Sequence, residues 1–228
     1  MLSTLAAEFA KSRLIKYLPT VILPAIGSTL TMVAVSAVFS IAIGMVLGSV
    51  LYVTDRDGLL PNRYIYGILS RVTDVIRSFP TFILIVAVSP LTRAVIGTTI
   101  GTKAAIFAIT LGCFPFAARM TESALQTVDR KLVKAMQSFG ASIFQIIWKV
   151  LFVEALPVLV SNYTIMLINM INMSAMAGAV GAGGLGAIAL TYGYQQFDYV
   201  IMYVVVVILI VIVSLLQSLS KLLYQRLK

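Results

Sequence analysis

From Tyr17 to Thr54 the chain carries no charged side chain, and from Leu30 to Val53 it has neither a charge nor a proline. Crossing the roughly 30 Å hydrocarbon layer of a bilayer takes about 20 apolar residues of helix. The run therefore reads as a membrane-spanning helix, and it limits what the rest of the chain can be. Pro19 and Pro24 mark its entry, and the turn Asp55-Arg56-Asp57-Gly58 with Pro61 ends it.

The composition agrees. Of 228 residues 60% are hydrophobic and only 11% charged, whereas a soluble domain carries about a quarter charged residues. The fold class expected is all-α: a polytopic membrane protein with about five transmembrane helices, forming a single domain over residues 1–228. That length leaves no room for a soluble enzyme domain. The net charge of +9 reads as membrane topology rather than nucleic-acid binding, because Lys and Arg gather at span ends, against anionic headgroups. Histidine is absent and Cys113 is the one cysteine, so no intramolecular disulfide, no metal site and no catalytic role are expected. The mixed charges Glu8, Lys11, Arg13 and Lys16 do not read as a removable leader. Leu2, Leu5, Ala6 and Phe9 suit a short interfacial helix or a frayed end.

A second span is expected over Ser78 to Thr92, extended back to about Tyr66. That extension encloses Arg71, Asp74 and Arg77, three apart on one helix side, where charges face protein or water rather than lipid. The same residues also fit the solvated end of a cytoplasmic helix. A third span runs from Lys103 to Arg119 across Pro115, a fourth from Leu156 to about Ala177, and a fifth from Tyr199 to Leu219. Lys11, Arg13, Lys16, Arg93 and Lys103 then lie on one side. Arg56, Arg63, Arg119, Arg130, Lys131, Lys134, Lys149, Lys221, Arg226 and Lys228, twice as many, lie on the other. The positive-inside rule puts the second set, with the C-terminus and the long third loop, in the cytoplasm and the N-terminus outside.

That loop has local signals of its own. Asp129 is an N-cap; Leu132, Val133, Met136 and Phe139 share a helix face beside Lys131 and Lys134; Gly140 stops the helix; Ser142 and Gln145 open another with a capping box. Such a helix fits a partner's groove or lies flat on lipid. In the fourth span Asn162, Met166, Asn169, Met170, Asn172, Met173 and Met176 fall within half the circumference at 100° per residue, opposite Leu167, Ile168 and Ile171. Amides do not face lipid without partners, so this face is expected to line a solute pathway or a dimer axis. Plain helix packing would also account for its members singly. Pro80 and Pro157 suggest bent helices.

The third loop resembles the coupling loop of ABC importer permeases, whose motif runs Glu-Ala-Ala, three residues, Gly, and later Ile-x-Leu-Pro. Here Lys134-Ala135-Met136, Gly140 and Val150-Leu151-Phe152-Val153 take that register, with Ala135 and Gly140 as strict matches. From about Ser28 onward the chain resembles the permease subunit of methionine ABC importers, through GSVLYVT (48–54), Arg77-Ser78-Phe79-Pro80, PFAARM (115–120), VEALP (153–157) and SAMAGAVGAGGLG (174–186). The resemblance implies the type I importer permease fold in the cell membrane. It also implies a homodimer, two ATP-binding-cassette subunits docked at residues 129–153 through Leu132, Lys134, Ala135, Met136, Phe139 and Gly140, and an extracytoplasmic methionine-binding protein. Alternating access for methionine is the implied function; other readings are a permease for another amino acid, or a secondary transporter with Asp74 as an ion relay.

The chain has no Gly-x4-Gly-Lys-Ser/Thr loop, so no nucleotide cofactor is expected in it, and ATP with Mg belongs to the partner ATPase. Gly181-Ala182-Gly183-Gly184-Leu185-Gly186 spells the dinucleotide fingerprint. That motif needs a strand before it and an acid about 20 residues on. A membrane helix precedes it here, so a glycine-rich external segment of close backbone approach, a loop or a re-entrant dip, is expected instead.

Overall fold

A computed structural model describes residues 12–227. The expected interfacial helix through Leu2, Leu5, Ala6 and Phe9 lies outside the described residues, as do Lys11 and Lys228. Every regular element among the described residues is helical. Helix α1 covers Leu14–Thr54 and takes a π-helical turn at Leu18–Ile22, where Pro19 withholds its N–H from the ladder. Its 41 residues measure roughly 60 Å, about twice a bilayer's hydrocarbon thickness. Among the described residues, helices α5 (Thr102–Leu125), α8 (Leu156–Ala179) and α10 (Tyr199–Leu227) are the other three long and apolar enough to cross a membrane. Helix α5 continues through Pro115, and α10 outlasts its apolar stretch by two turns bearing Lys221 and Arg226.

The second expected span is not one helix. It is divided into α2 (Arg63–Ser78), α3 (Thr81–Ala87) and α4 (Ser89–Ile96). Asn62 caps α2 by accepting from the N–H groups of Tyr64 and Ile65, both at 3.1 Å. Phe79 is extended, φ −71° and ψ 135°, because the ring of Pro80 crowds a preceding residue out of helical geometry. The bend expected at Pro80 is thus a break. Between α5 and α8 lie α6 (Arg130–Ser138) and the helical run α7 (143–154), with a π-helical turn at Ile147–Leu151. The glycine-rich stretch is a loop only over 180–183: helix α9 (184–195) starts at Gly184 and ends in a π-helical turn.

The chain divides into two compact units. One comprises Met1–Ala37, Pro80–Thr110 and Ile168–Leu216; the other Val38–Phe79, Leu111–Leu167 and Gln217–Lys228. In the first, Ile22, Ala25, Leu185, Ile201 and Val205 form a buried core. The Leu185 N–H donates to Thr29 Oγ1 at 2.9 Å. Helix α9 folds back on α8 so closely that a Cβ on Gly186 would stand 2.2 Å from the Ala175 carbonyl oxygen. The close approach expected of these glycines is present, between two helices rather than in a nucleotide cradle.

In the second unit Ala124, Leu125, Val128, Val133, Ile146, Leu151, Phe152, Ala155 and Leu159 make the core. Helix α1 lies against α5 along Gly44 and Gly48, where added Cβ atoms would come within 2.4 Å of Ala117 Cβ and 2.5 Å of the Ala118 carbonyl oxygen. Small residues one turn apart permit this approach in apolar surroundings. Helix α2 turns Tyr64, Ile68, Val72 and Val75 outward and its polar side to α5, the reverse of a water-facing helix.

Candidate coupling surface and pathway face

Helix α6 is built as its local signals require. Asp129 accepts from the Lys131 N–H at 2.8 Å, and Gly140 takes φ +75°, a left-handed stop that L side chains resist. The capping box is present in both directions: the Gln145 N–H donates to Ser142 Oγ at 3.3 Å and the Ser142 N–H to Gln145 Oε1 at 2.9 Å. At the other end Arg130 reaches Asp57 at 3.3 Å.

The single apolar face expected of α6 is two faces. Val133 is buried, and Met136 packs on the same core. Leu132 is 44% and Phe139 86% exposed, with Ala135 between them also exposed, and Lys131 and Lys134 beside them. The inward pair anchors the helix; the outward set is uncovered. Phe144, 69% exposed, packs at a tilt against Trp148 at 6.0 Å, which meets Phe152 at 5.0 Å. Sequence reading missed these aromatics, although their spacing of four residues within a helix was a usable signal.

The seven residues of the fourth-span face part company. In the second unit the Asn162 side chain donates to the Met120 carbonyl at 3.0 Å, and Met166 is fully buried. In the first unit Met170 and Met173 are buried, Asn169 is half-buried, and Asn172 and Met176 are exposed. Angular position alone grouped them; neighbouring helices already cover one edge. Of the set, Asn172 and Met176 are the exposed members.

A charged cluster joins α2 to α5. The Arg119 guanidinium donates to both oxygens of Asp74, through Nε at 3.1 Å and Nη2 at 2.8 Å, and through Nη1 to Glu122 Oε2 at 2.7 Å. It also reaches the carbonyl and hydroxyl of Ser70. Arg77 lies 3.9 Å from Asp74 and sits 5.2 Å over the Phe116 ring. Of the charges within the second expected span, Asp74 and Arg77 meet protein and are paired, whereas Arg71 is exposed. Sequence reading noticed Asp74 and Arg77 but not their partners on α5.

The chain matches the model of the family described as binding-protein-dependent transport system inner membrane component over residues 40–228. It is 45% identical over 205 residues to the probable D-methionine transport system permease protein MetI of Vibrio cholerae, covering 90% of this chain and 91% of that one. With the D-methionine transport system permease protein MetI of Escherichia coli K12 it shares 43% identity over 145 residues, 64% of this chain and 67% of that one. Among solved structures it superposes on a chain of the inward-facing methionine ABC transporter MetNI with a TM-score of 0.91 and 39% identity, covering 95% and 99% of the two chains. An amino acid ABC transporter crystallised with histidines matches in fold, at a TM-score of 0.76 and 18% identity. Four long apolar helices, a capped and half-anchored loop helix, and a match through most of the sequence agree: this chain belongs to the binding-protein-dependent transport system inner membrane components.

Proposed function

We propose that the chain is the permease subunit of an ATP-driven methionine importer. It works as a homodimer with two ATP-binding-cassette subunits and an extracytoplasmic methionine-binding protein. The observation that carries the solute is the 45% identity to a D-methionine permease across 90% of the chain. The coupling role is supported by α6, whose inward residues hold it on the permease while Leu132, Ala135 and Phe139 stay uncovered, as a partner-binding helix requires. Lys134, Met136 and Gly140 frame that surface. ATP is bound with Mg and hydrolysed by the partner, and this subunit is not catalytic. The C-terminus and α6 are cytoplasmic and the N-terminus external, as the asymmetry of Lys and Arg supports. Asn172 and Met176 face the pathway or the dimer axis, while Asn162, Met166, Asn169, Met170 and Met173 support that face from behind.

The test is reconstitution of the whole complex in vesicles with the ATPase, the binding protein and labelled L- or D-methionine. Uptake that requires ATP and ignores ion gradients is the expected result. Uptake that survives without the ATPase, or a complex that hydrolyses ATP while moving other amino acids in preference to methionine, overturns the reading.

A further inference from the structure

We propose that Arg119 is a two-position connector, bridging Asp74 of α2 and Glu122 of its own helix in this conformation and shifting wholly onto Glu122 when the ATPase displaces α6. The proposal rests on the importer reading above. Its first support is the inventory of acceptors. The guanidinium fork holds both oxygens of Asp74 but only Oε2 of Glu122. Glu122 is 4% exposed, and its Oε1 has no hydrogen-bond partner. A buried carboxylate oxygen without a donor is costly, and a guanidinium prefers to hold a carboxylate by two parallel bonds. The unpaired oxygen therefore offers the fork a second seat beside the first.

The second support is that leaving the first seat strands no charge, the loss being the Arg119 bonds to the Ser70 carbonyl and hydroxyl. The Asp74 side chain is 53% exposed and keeps Arg77 within 3.9 Å, so water and a second arginine remain to it. Glu122, deeply buried, would gain what it lacks. The four groups, two acidic and two basic, stay neutral in either arrangement. Two seats of comparable quality make a bistable element, whereas a single buried ion pair would only hold the helices in place.

The third support is position. Glu122 is in the last turn of α5, and Asp129, the cap of α6, follows shortly after Leu125. The turn between them is tied by Gln126 N–H to the Glu122 carbonyl at 3.0 Å and Thr127 N–H to the Ala124 carbonyl at 3.1 Å. A displacement of α6 is therefore passed through this turn to the end of α5 that carries Glu122. Moving Arg119 to Glu122 would remove its bonds to Asp74 and Ser70 and leave Arg77 over the Phe116 ring to hold α2 on α5.

The experiment places spin labels at the exposed positions Ile68 on α2 and Ser123 on α5 in the complete complex in vesicles, and measures their distance without nucleotide and with a non-hydrolysable ATP analogue. The wild type should show two populations, with the analogue favouring the second. Asp74→Asn weakens the first seat and should enrich the second population about tenfold without nucleotide, within the usual range of coupling between sites. Glu122→Gln weakens the second seat and should suppress the shift; Asp74→Glu should behave as wild type. Opposite effects of two carboxyl-to-amide changes are not produced by a merely structural role. Identical distance distributions in wild type, Asp74→Asn and Glu122→Gln overturn the proposal. Asp74 is half-exposed, so its amide variant folds and decides the matter even if Glu122→Gln is lost. ATP-dependent methionine uptake in the same vesicles separates the two readings: uptake with unchanged distances sinks the connector alone, and shifting distances without methionine uptake sink the solute assignment alone.

Discussion

Replacing Gly44 with alanine should loosen the contact of α1 with α5, and the size of the effect follows from the backbone. A Cβ at position 44 would stand 2.4 Å from Ala117 Cβ, 2.8 Å from the Ala117 carbonyl carbon and 3.0 Å from the Ala118 nitrogen. Carbon atoms settle at about 3.5–4.0 Å, so the helices must part by about 1 Å. No side-chain rotation relieves it, because two of the three obstacles are main chain. Overpacking of this kind costs roughly 1–3 kcal/mol, against a gain of roughly 0.8–1.0 kcal/mol for exchanging glycine for alanine within a helix. Gly27 provides the reference, since it lies on the same helix and a Cβ there meets nothing within 4 Å. Gly27→Ala takes the propensity gain without the clash, so the difference between the two variants isolates the clash. Thermal denaturation of the purified permease in detergent should place Gly44→Ala several degrees below Gly27→Ala. Adding Ala117→Gly should restore only part of the loss, as the carbonyl carbon remains in the way. A Gly44→Ala protein that melts with Gly27→Ala would refute the close-packing argument.

Truncating the outward ring of α6 by Phe139→Ala should leave the permease's melting temperature unchanged. It should weaken binding of the purified ATPase by about 30-fold, the usual scale of a hot-spot residue worth about 2 kcal/mol; equal affinity would remove α6 from the docking surface. In a Cys113→Ala background, Met176→Cys should form an oxidised dimer in native membranes, and buried Ile171→Cys should not; the reverse pattern would turn α8 the other way. Removing the capping box with Ser142→Ala and Gln145→Ala should cost about 1 kcal/mol and raise amide exchange through residues 143–154, leaving exchange in α5 as it was.

What could be read from the sequence was what local chemistry dictates. The α6 cap at Asp129, its stop at Gly140 and the box at Ser142 and Gln145 depend on residues within a turn of one another, and all three are formed. The long spans declare themselves by the absence of charge. The second expected span misled because hydropathy does not register the extended geometry that Pro80 imposes on Phe79. The wheel of α8 gave correct angles but no neighbours, so it could not separate Met166 and Met173, which other helices cover, from Met176, which none covers. The bond from Arg119 to Asp74 spans 45 residues, and no local pattern announces which cation on one helix will meet which carboxylate on another.

The junction between α5 and α6 yields the last expectation. A helix that merely lay beside the core would yield when pushed, but α6 is held at three points: Arg130 on Asp57 at its start, Val133 and Met136 in the core, and the Ala141 N–H on the Met136 carbonyl at 3.1 Å at its end. Val128, buried in the same core, ties the preceding turn. Displacement is carried by rigid elements with defined arrangements, so a force on the outward face should pass to α5 rather than be absorbed in the turn. Inserting two glycines after Gln126 would slacken that turn while leaving Leu132, Ala135 and Phe139 free to bind. The altered complex should retain its ATPase and its ATP hydrolysis but lose methionine uptake, measured in parallel on the same vesicles. Uptake that continues in proportion to hydrolysis would mean that the force travels by another route, and that the stiffness of this junction has no part in transport.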